Sequence, residues 1–363
     1  MMNKITHLEG LRGLCCFIVV FDHCVSAFNS ALRHTDISGL IGDAQRIIAW
    51  SPLNLIYSGI PSVYIFFILS GFVLSNKFNL HKKNDILTSA SIKRYPRLML
   101  PIFFAMVVMF IAYKISNSFF DTNYHLSISD VFMQSFIYVP FGGSKLENGA
   151  MWTITYELFG SFLIFAILAL FGSYKYKYVI YFALFLFTLE SYYCVFIFGM
   201  AINSILHDGR TFKIKNKYIT LFIISISLVL ISYPYPRTGV SIGGIYSYFP
   251  IIKDHSTTYQ YLIKIGCMTL FASLFSLDSI KLFFDSRVLQ FMGKISFSVY
   301  ILHVPFLILA LNLKNEFSSP SFRLIALTFL VYLVTIITSI YFEKFIDTGA
   351  VKYTNKFAKR ITS

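Results

Sequence analysis

Apolar residues fall along this chain in blocks of roughly 20, without the alternation at every second position that marks a strand with one wet face. A helix needs about 20 such residues to cross the hydrocarbon core of a bilayer, and barrel strands are about half that length. Ten blocks are separated by polar or basic breaks, near residues 10–28, 56–76, 97–115, 150–171, 178–190, 191–206, 219–235, 259–277, 288–312 and 321–342. The fifth and sixth are short and almost continuous, with Glu190 and Ser191 marking a tight hairpin between them. The pattern predicts an all-α polytopic membrane protein of about ten transmembrane helices. It reads as one membrane domain over residues 1–345 followed by a short basic cytoplasmic tail over 346–363, without a convincing internal repeat.

Composition narrows the classes. Of the 363 residues 56% are hydrophobic and 13% charged, against about a quarter charged in a soluble domain. A water-soluble enzyme or a nucleic-acid partner is therefore excluded in practice. The net charge of +14 belongs to the loops. With the N-terminus inside, 20 of the 31 Lys and Arg residues fall in cytoplasmic segments and 8 outside, while Arg12, Lys264 and Lys294 fall within spans. That asymmetry places both termini in the cytoplasm and the chain as a multi-pass protein of the plasma or inner membrane. The five cysteines all lie in apolar segments, where a thiol behaves as a small hydrophobe, Cys24 included. No cleavable signal peptide is expected, because the first apolar run carries Arg12, Asp22 and His23 with no small-residue cleavage site after it.

Charges within a bilayer are costly and usually functional, so the polar residues inside the blocks carry the chemistry. Arg12 and His23 in the first span are eleven residues apart. Three helical turns put them on one face about 16 Å apart, with Arg12 at the cytoplasmic end and His23 in the outer half. One face would then hold an anion site and a titratable base. Asp22 points about 100° away from His23, so it either orients His23 or pairs elsewhere. In the second span Ser70 and Gly71 lie in the cytoplasmic half, where a glycine permits close approach by a thin ligand or by a neighbouring helix. Before the third span stands Lys93-Arg94-Tyr95-Pro96-Arg97. Pro96 suits a helix start, which would set Arg94 and Arg97 at a helix N-terminus as a phosphate site or as ordinary positive-inside anchors. Glu157 sits about 8–10 Å below the outer end of the fourth span and needs a partner, either Lys264 or Lys294 structurally or His23 functionally. Tyr300 and His303 are neighbours on one face of the ninth span, and Pro305 is expected to kink the helix just beyond.

These pieces, in this order, resemble the membrane-bound acyltransferase-3 family over essentially the whole chain. The carrying motifs are His7 to Gly13 through Phe21-Asp22-His23, Phe66 to Phe72, the pair Arg94 and Arg97, Trp152 to Glu157, and Tyr300 to Pro305. Leu158 stands where the family pattern has a second Glu, so any role of that carboxylate is absent or moved. The resemblance implies transfer of an acyl group, usually acetyl, from cytoplasmic acyl-CoA to a hydroxyl of a cell-surface or lipid-linked glycan such as O-antigen or lipopolysaccharide. Acetyl-CoA is the expected co-substrate. Arg12, Arg94 and Arg97 would bind its phosphates, Ser70 and Gly71 would line its pantetheine arm, and His23 would be the general base with Glu157 and Asp22 orienting it. Trp152, Tyr300 and His303 are expected on the substrate side, Tyr300 or His303 stabilising the oxyanion. No metal is expected, because the eight histidines are scattered without ligand spacing. Membrane lipids and the glycan acceptor are the expected partners, and oligomeric state is open. The competing class is a secondary transporter for a small polar or anionic solute, which predicts inverted repeats and matching broken helices.

Overall fold

Inside hydrocarbon every backbone N–H and C=O must be bonded within its own segment, so long apolar blocks become helices. The computed structural model describes residues 6–33, 40–143, 145–210, 214–236 and 242–362. Lys4, Lys213 and Arg237, counted among the basic residues above, lie outside the described residues. Among the described residues there is helix, turn and coil but no strand. In chain order the helices are α1 (Thr6–Phe28), α2 (Leu40–Ala49), α3 (Gly59–His81), α4 (Asn84–Phe119), α5 (Ile128–Met133), α6 (Val139–Phe141), α7 (Trp152–Phe171), α8 (Lys177–Phe187) and α9 (Tyr193–His207). They continue as α10 (Lys217–Ile231), α11 (His255–Ser273), α12 (Asp278–Phe284), α13 (Arg287–Leu311), α14 (Pro320–Phe342) and α15 (Thr348–Thr362).

All ten apolar blocks are helical, and six reach spanning length with the required apolarity: α1, α3, α4, α7 with its preceding turn, α13, and the run through α14. The chain is a multi-pass membrane protein. Helices α8, α9 and α10 have 11, 15 and 15 residues, or about 16–22 Å, short of the hydrocarbon thickness. The eighth block ends in a sharp bend: α11 and the following α12 meet at 101°. The hairpin expected at Glu190 and Ser191 is present, between α8 and α9.

One sequence expectation is corrected. Pro96 does not start a helix: α4 begins at Asn84 and runs 36 residues through both Pro96 and Pro101. Arg94 and Arg97 are therefore mid-helix, where peptide N–H groups are used by the helix and offer an anion nothing. Within the segment read as a short basic tail, Thr348–Thr362 is helical. The helix continues from α14 through a π-helical turn over Glu343–Asp347 into α15, which lies against α4. Ala350, Thr354 and Ala358 form its buried face, while Lys352, Lys356, Lys359 and Arg360 are exposed.

The chain forms two compact units, residues 1–66 with 210–293 and residues 67–209 with 294–363. In the first, α1 packs on α12 and the start of α13, and α10 pairs with α11. Glycine makes the first crossing possible: a Cβ at Gly13 would stand 2.4 Å from the Gly293 nitrogen, and one at Gly10 2.0 Å from the Phe284 carbonyl oxygen. In the second unit α4 packs on α7 and α15, and α7 on α9. There α3 crosses α9 backbone to backbone. A Cβ at Gly71 would stand 2.0 Å from the Phe196 carbonyl oxygen, and one at Gly199 2.0 Å from that of Ile68. Gly71 thus serves helix packing, the alternative the sequence left open.

Candidate functional site

In the first unit, α1 is unbroken from Thr6 to Phe28, so Arg12 and His23 do lie about 16 Å apart along one continuous helix. The Arg12 guanidinium donates to the Gly293 carbonyl at 3.1 Å and pairs with Glu9 at 3.2 Å. It stays 43% exposed, open enough to meet a second anion. His23 is half-buried. Asp22 pairs elsewhere, as one of the two expectations allowed. After α1 ends at Phe28, a 3-10 turn over Ser30–Arg33 folds back and brings Arg33 onto it. Arg33 Nη2 donates to Asp22 Oδ1 at 2.5 Å, to the Asp22 carbonyl at 2.8 Å and to Ser26 Oγ at 3.0 Å, and Nη1 donates to the Tyr57 carbonyl at 3.2 Å. The guanidinium also lies over the Tyr57 ring, 5.3 Å from its centroid. Asp22 and Arg33 border a cleft of about 210 Å³, lined also by the loop after α2, the end of α10 and Tyr259 of α11.

The second unit holds another carboxylate–guanidinium pair. Glu157 Oε1 on α7 accepts from Arg94 of α4 and, at 2.5 Å, from Ser70 Oγ of α3. Three helices are tied at one oxygen. Two residues expected near the acyl donor, Arg94 and Ser70, are thus engaged by a third expected site residue, and Lys294 pairs instead with Glu343 at 3.6 Å. Arg97 is exposed one turn along α4. Trp152 joins an aromatic cluster, with ring centroids 5.6 Å from Tyr156 and 5.4 Å from Tyr192.

The region of Tyr300 and His303 is built around a proline. Pro305 sits inside an unbroken α13 and lacks the N–H that would bond the Ile301 carbonyl. Asn148 supplies the missing donor: its Nδ2 reaches that carbonyl at 3.0 Å. One turn away the Tyr300 hydroxyl donates to the Ala150 carbonyl at 2.8 Å and meets Thr153 Oγ1 at 2.8 Å. Its proton is therefore held by a backbone oxygen. His303 is fully buried, and its Nδ1 lies 2.7 Å from the Tyr300 carbonyl. A carbonyl only accepts, so Nδ1 carries the proton. Sequence reasoning missed Arg33 and Asn148. Arg33 lies beyond the end of α1, on a turn that folds back, so helical register does not tie it to Asp22. Asn148 had a signal, since a proline within a helix leaves the carbonyl four residues earlier in need of a donor.

Residues 5–344, nearly the whole chain and both units, match the family model of the acyltransferase-3 domain. The chain belongs to the acyltransferase-3 family. A curated relative, the O-acetyltransferase PaAT-1 of Phomopsis amygdali, is 31% identical over 109 residues, which is 28% of this chain and 21% of that protein. The chain therefore aligns with about a fifth of that relative's length. No solved structure matches it. In this acyltransferase-3 chain, Arg12, Asp22 and His23 stand together on α1 of the first unit, and Ser70, Arg94 and Glu157 form one cluster in the second. Among the described residues no three His, Cys, Asp or Glu side chains gather as a metal site.

Proposed function

We propose that the protein is an integral-membrane O-acyltransferase that moves an acyl group, acetyl in the first instance, from cytoplasmic acetyl-CoA to a hydroxyl of a cell-surface or lipid-linked glycan. One observation supports this reading beyond family membership. An exposed guanidinium and a histidine share one unbroken helix about 16 Å apart, a separation of the order of an extended pantetheine arm. With both termini cytoplasmic, Arg12 stands at the inner end of α1 and His23 in the outer half.

The acceptor oxygen attacks the thioester carbonyl carbon while the His23 imidazole takes its proton. The tetrahedral intermediate collapses, the carbon–sulfur bond breaks, and the CoA thiolate leaves with the proton returned by His23. The products are an ester and free CoA thiol. On this reading the donor phosphates meet Arg12, whose guanidinium keeps exposed surface. Arg94 acts through Glu157, holding α3, α4 and α7 in place.

The test uses proteoliposomes given radiolabelled acetyl-CoA and host glycan lipid. His23→Ala should cut label transfer by about 10²–10⁴-fold, the usual contribution of a general base, at equal amounts of folded protein. Normal transfer by the variant would make His23 structural. Failure of the wild type to bind acetyl-CoA or to label any glycan would favour the transporter.

A further inference from the structure

The cleft beside Asp22 has a lining that the acyl-transfer chemistry above leaves unused. Its walls carry Trp50, Tyr235 and Tyr259 together with Asp22, Arg33 and Asn54. Tyr235 is 63% exposed and meets the Tyr259 ring edge-on at 5.2 Å, so an aromatic surface stands at the solvent side. Trp50 is held from behind by the Gly243-Gly244 backbone, where a Cβ at Gly244 would come within 2.6 Å of the Trp50 carbonyl oxygen. Asn54 is fixed by its bonds to the Ala49 and Ser232 carbonyls, which join the loop after α2 to the end of α10. The walls are thus preorganised.

The charge of the cleft selects among ligands. Among the described residues, Asp22 and Arg33 are the two charged ones that line it, and they neutralise each other. A phosphate or a carboxylate finds no net attraction there. Aromatic faces pack against the C–H face of a ring, and carboxylate and guanidinium edges suit hydroxyl groups. A volume of about 210 Å³ is below that of sites for drug-sized ligands and suits a single ring.

We infer that this cleft in the first unit is the acceptor site and takes one uncharged sugar ring, with Trp50 and Tyr235 against its apolar face and the Asp22–Arg33 pair toward its hydroxyls. The inference rests on the acyl-transfer reading for the word acceptor, but the sugar site itself is independent of it.

The chain has two tryptophans, so Trp152→Phe leaves Trp50 as a single reporter inside the cleft. That variant, in lipid nanodiscs, is titrated with methyl glycosides of neutral hexoses and deoxyhexoses, with a methyl uronide, and with cyclohexanol. A saturable change in Trp50 emission with a neutral glycoside, and a weaker response to the uronide and to cyclohexanol, is expected. Adding Tyr235→Ala, an exposed position, should weaken the binding roughly tenfold. An equal response to cyclohexanol, or a response to the uronide alone, would overturn the proposal.

Label transfer from acetyl-CoA to the same glycosides separates the two readings. If sugars bind at Trp50 but no label moves, the cleft stands and the acyl-transfer reading falls. If label moves while Trp50 stays silent and Tyr235→Ala leaves KM for the glycoside unchanged, the cleft falls and the acyl-transfer reading stands.

Discussion

Asp22–Arg33 and Glu157–Arg94 join the same two functional groups, yet their surroundings give them different work. Asp22–Arg33 links the end of a long helix to a short turn and borders a cleft. Arg33 there has further acceptors in the Asp22 and Tyr57 carbonyls. Glu157–Arg94 lies among α3, α4 and α7, with Ser70 on the same carboxylate oxygen. The first pair shapes a surface that a ligand can reach. The second fixes helices, because one carboxylate oxygen holds groups from two other helices. An ion pair in a membrane protein is thus read from what else ends beside it.

The largest expected effect breaks the second pair. Glu157→Ala strands Arg94 and should cost about 3–5 kcal/mol, read as a large drop in thermal stability in detergent. Replacing both partners with apolar residues should recover most of that loss. Asp22→Ala, by contrast, leaves Arg33 with carbonyl partners and should cost about 1–3 kcal/mol. Equal losses from the two alanines would erase the distinction between the pairs.

Next is the crossing that seats Ser70 opposite Glu157. Gly71→Ala drives a methyl into the Phe196 carbonyl and should cost at least about 1–3 kcal/mol by overpacking. A neutral result by thermal melt would mean that α3 and α9 part easily, and that this cluster is less rigid than described. Asn148→Ala should cost about 1–3 kcal/mol by leaving the Ile301 carbonyl unbonded. The added change Pro305→Ala restores the helix's own donor and should return part of that stability.

The smallest effect comes from a pair nearer water, which sets the scale for the other two. Lys177 Nζ lies 2.7 Å from Asp208 Oδ2, and Tyr178 donates to the same oxygen. Burial by itself would raise the Asp208 pKa, but the bonds from Lys177 and Tyr178 outweigh it and hold the carboxyl below its ordinary value. The folded form therefore gains stability above the ordinary carboxyl pKa of about 4, and that gain is lost as pH falls through the lower folded value. Wild type should exceed Asp208→Asn by at most about 1 kcal/mol at neutral pH, and the two should converge in acid melts. A gap that widens on acidification would contradict the assignment.

Much of the fold was legible because a bilayer leaves an apolar block little choice but helix. The boundaries of α1, α7, α13 and α14 lie within a few residues of those read from hydropathy. What failed had local causes. Pro96 looked like a start, but a helix in an apolar setting carries proline when neighbours absorb the lost bond, and α4 runs through it. The blocks at 178–190, 191–206 and 219–235 had the right composition but yielded helices too short to cross alone, since hydropathy counts apolar residues and not where turns cut them.

Of the site, the sequence by itself determined the spacing of Arg12 and His23, because both lie on one helix whose pitch is universal. It also determined that Asp22 and Glu157 needed partners, because a carboxylate in an apolar block cannot stand alone. Which partner each took, Arg33 for one and Arg94 with Ser70 for the other, only the tertiary structure decided. Those contacts join residues from different helices or across a turn, where no periodicity links positions and proximity comes from packing.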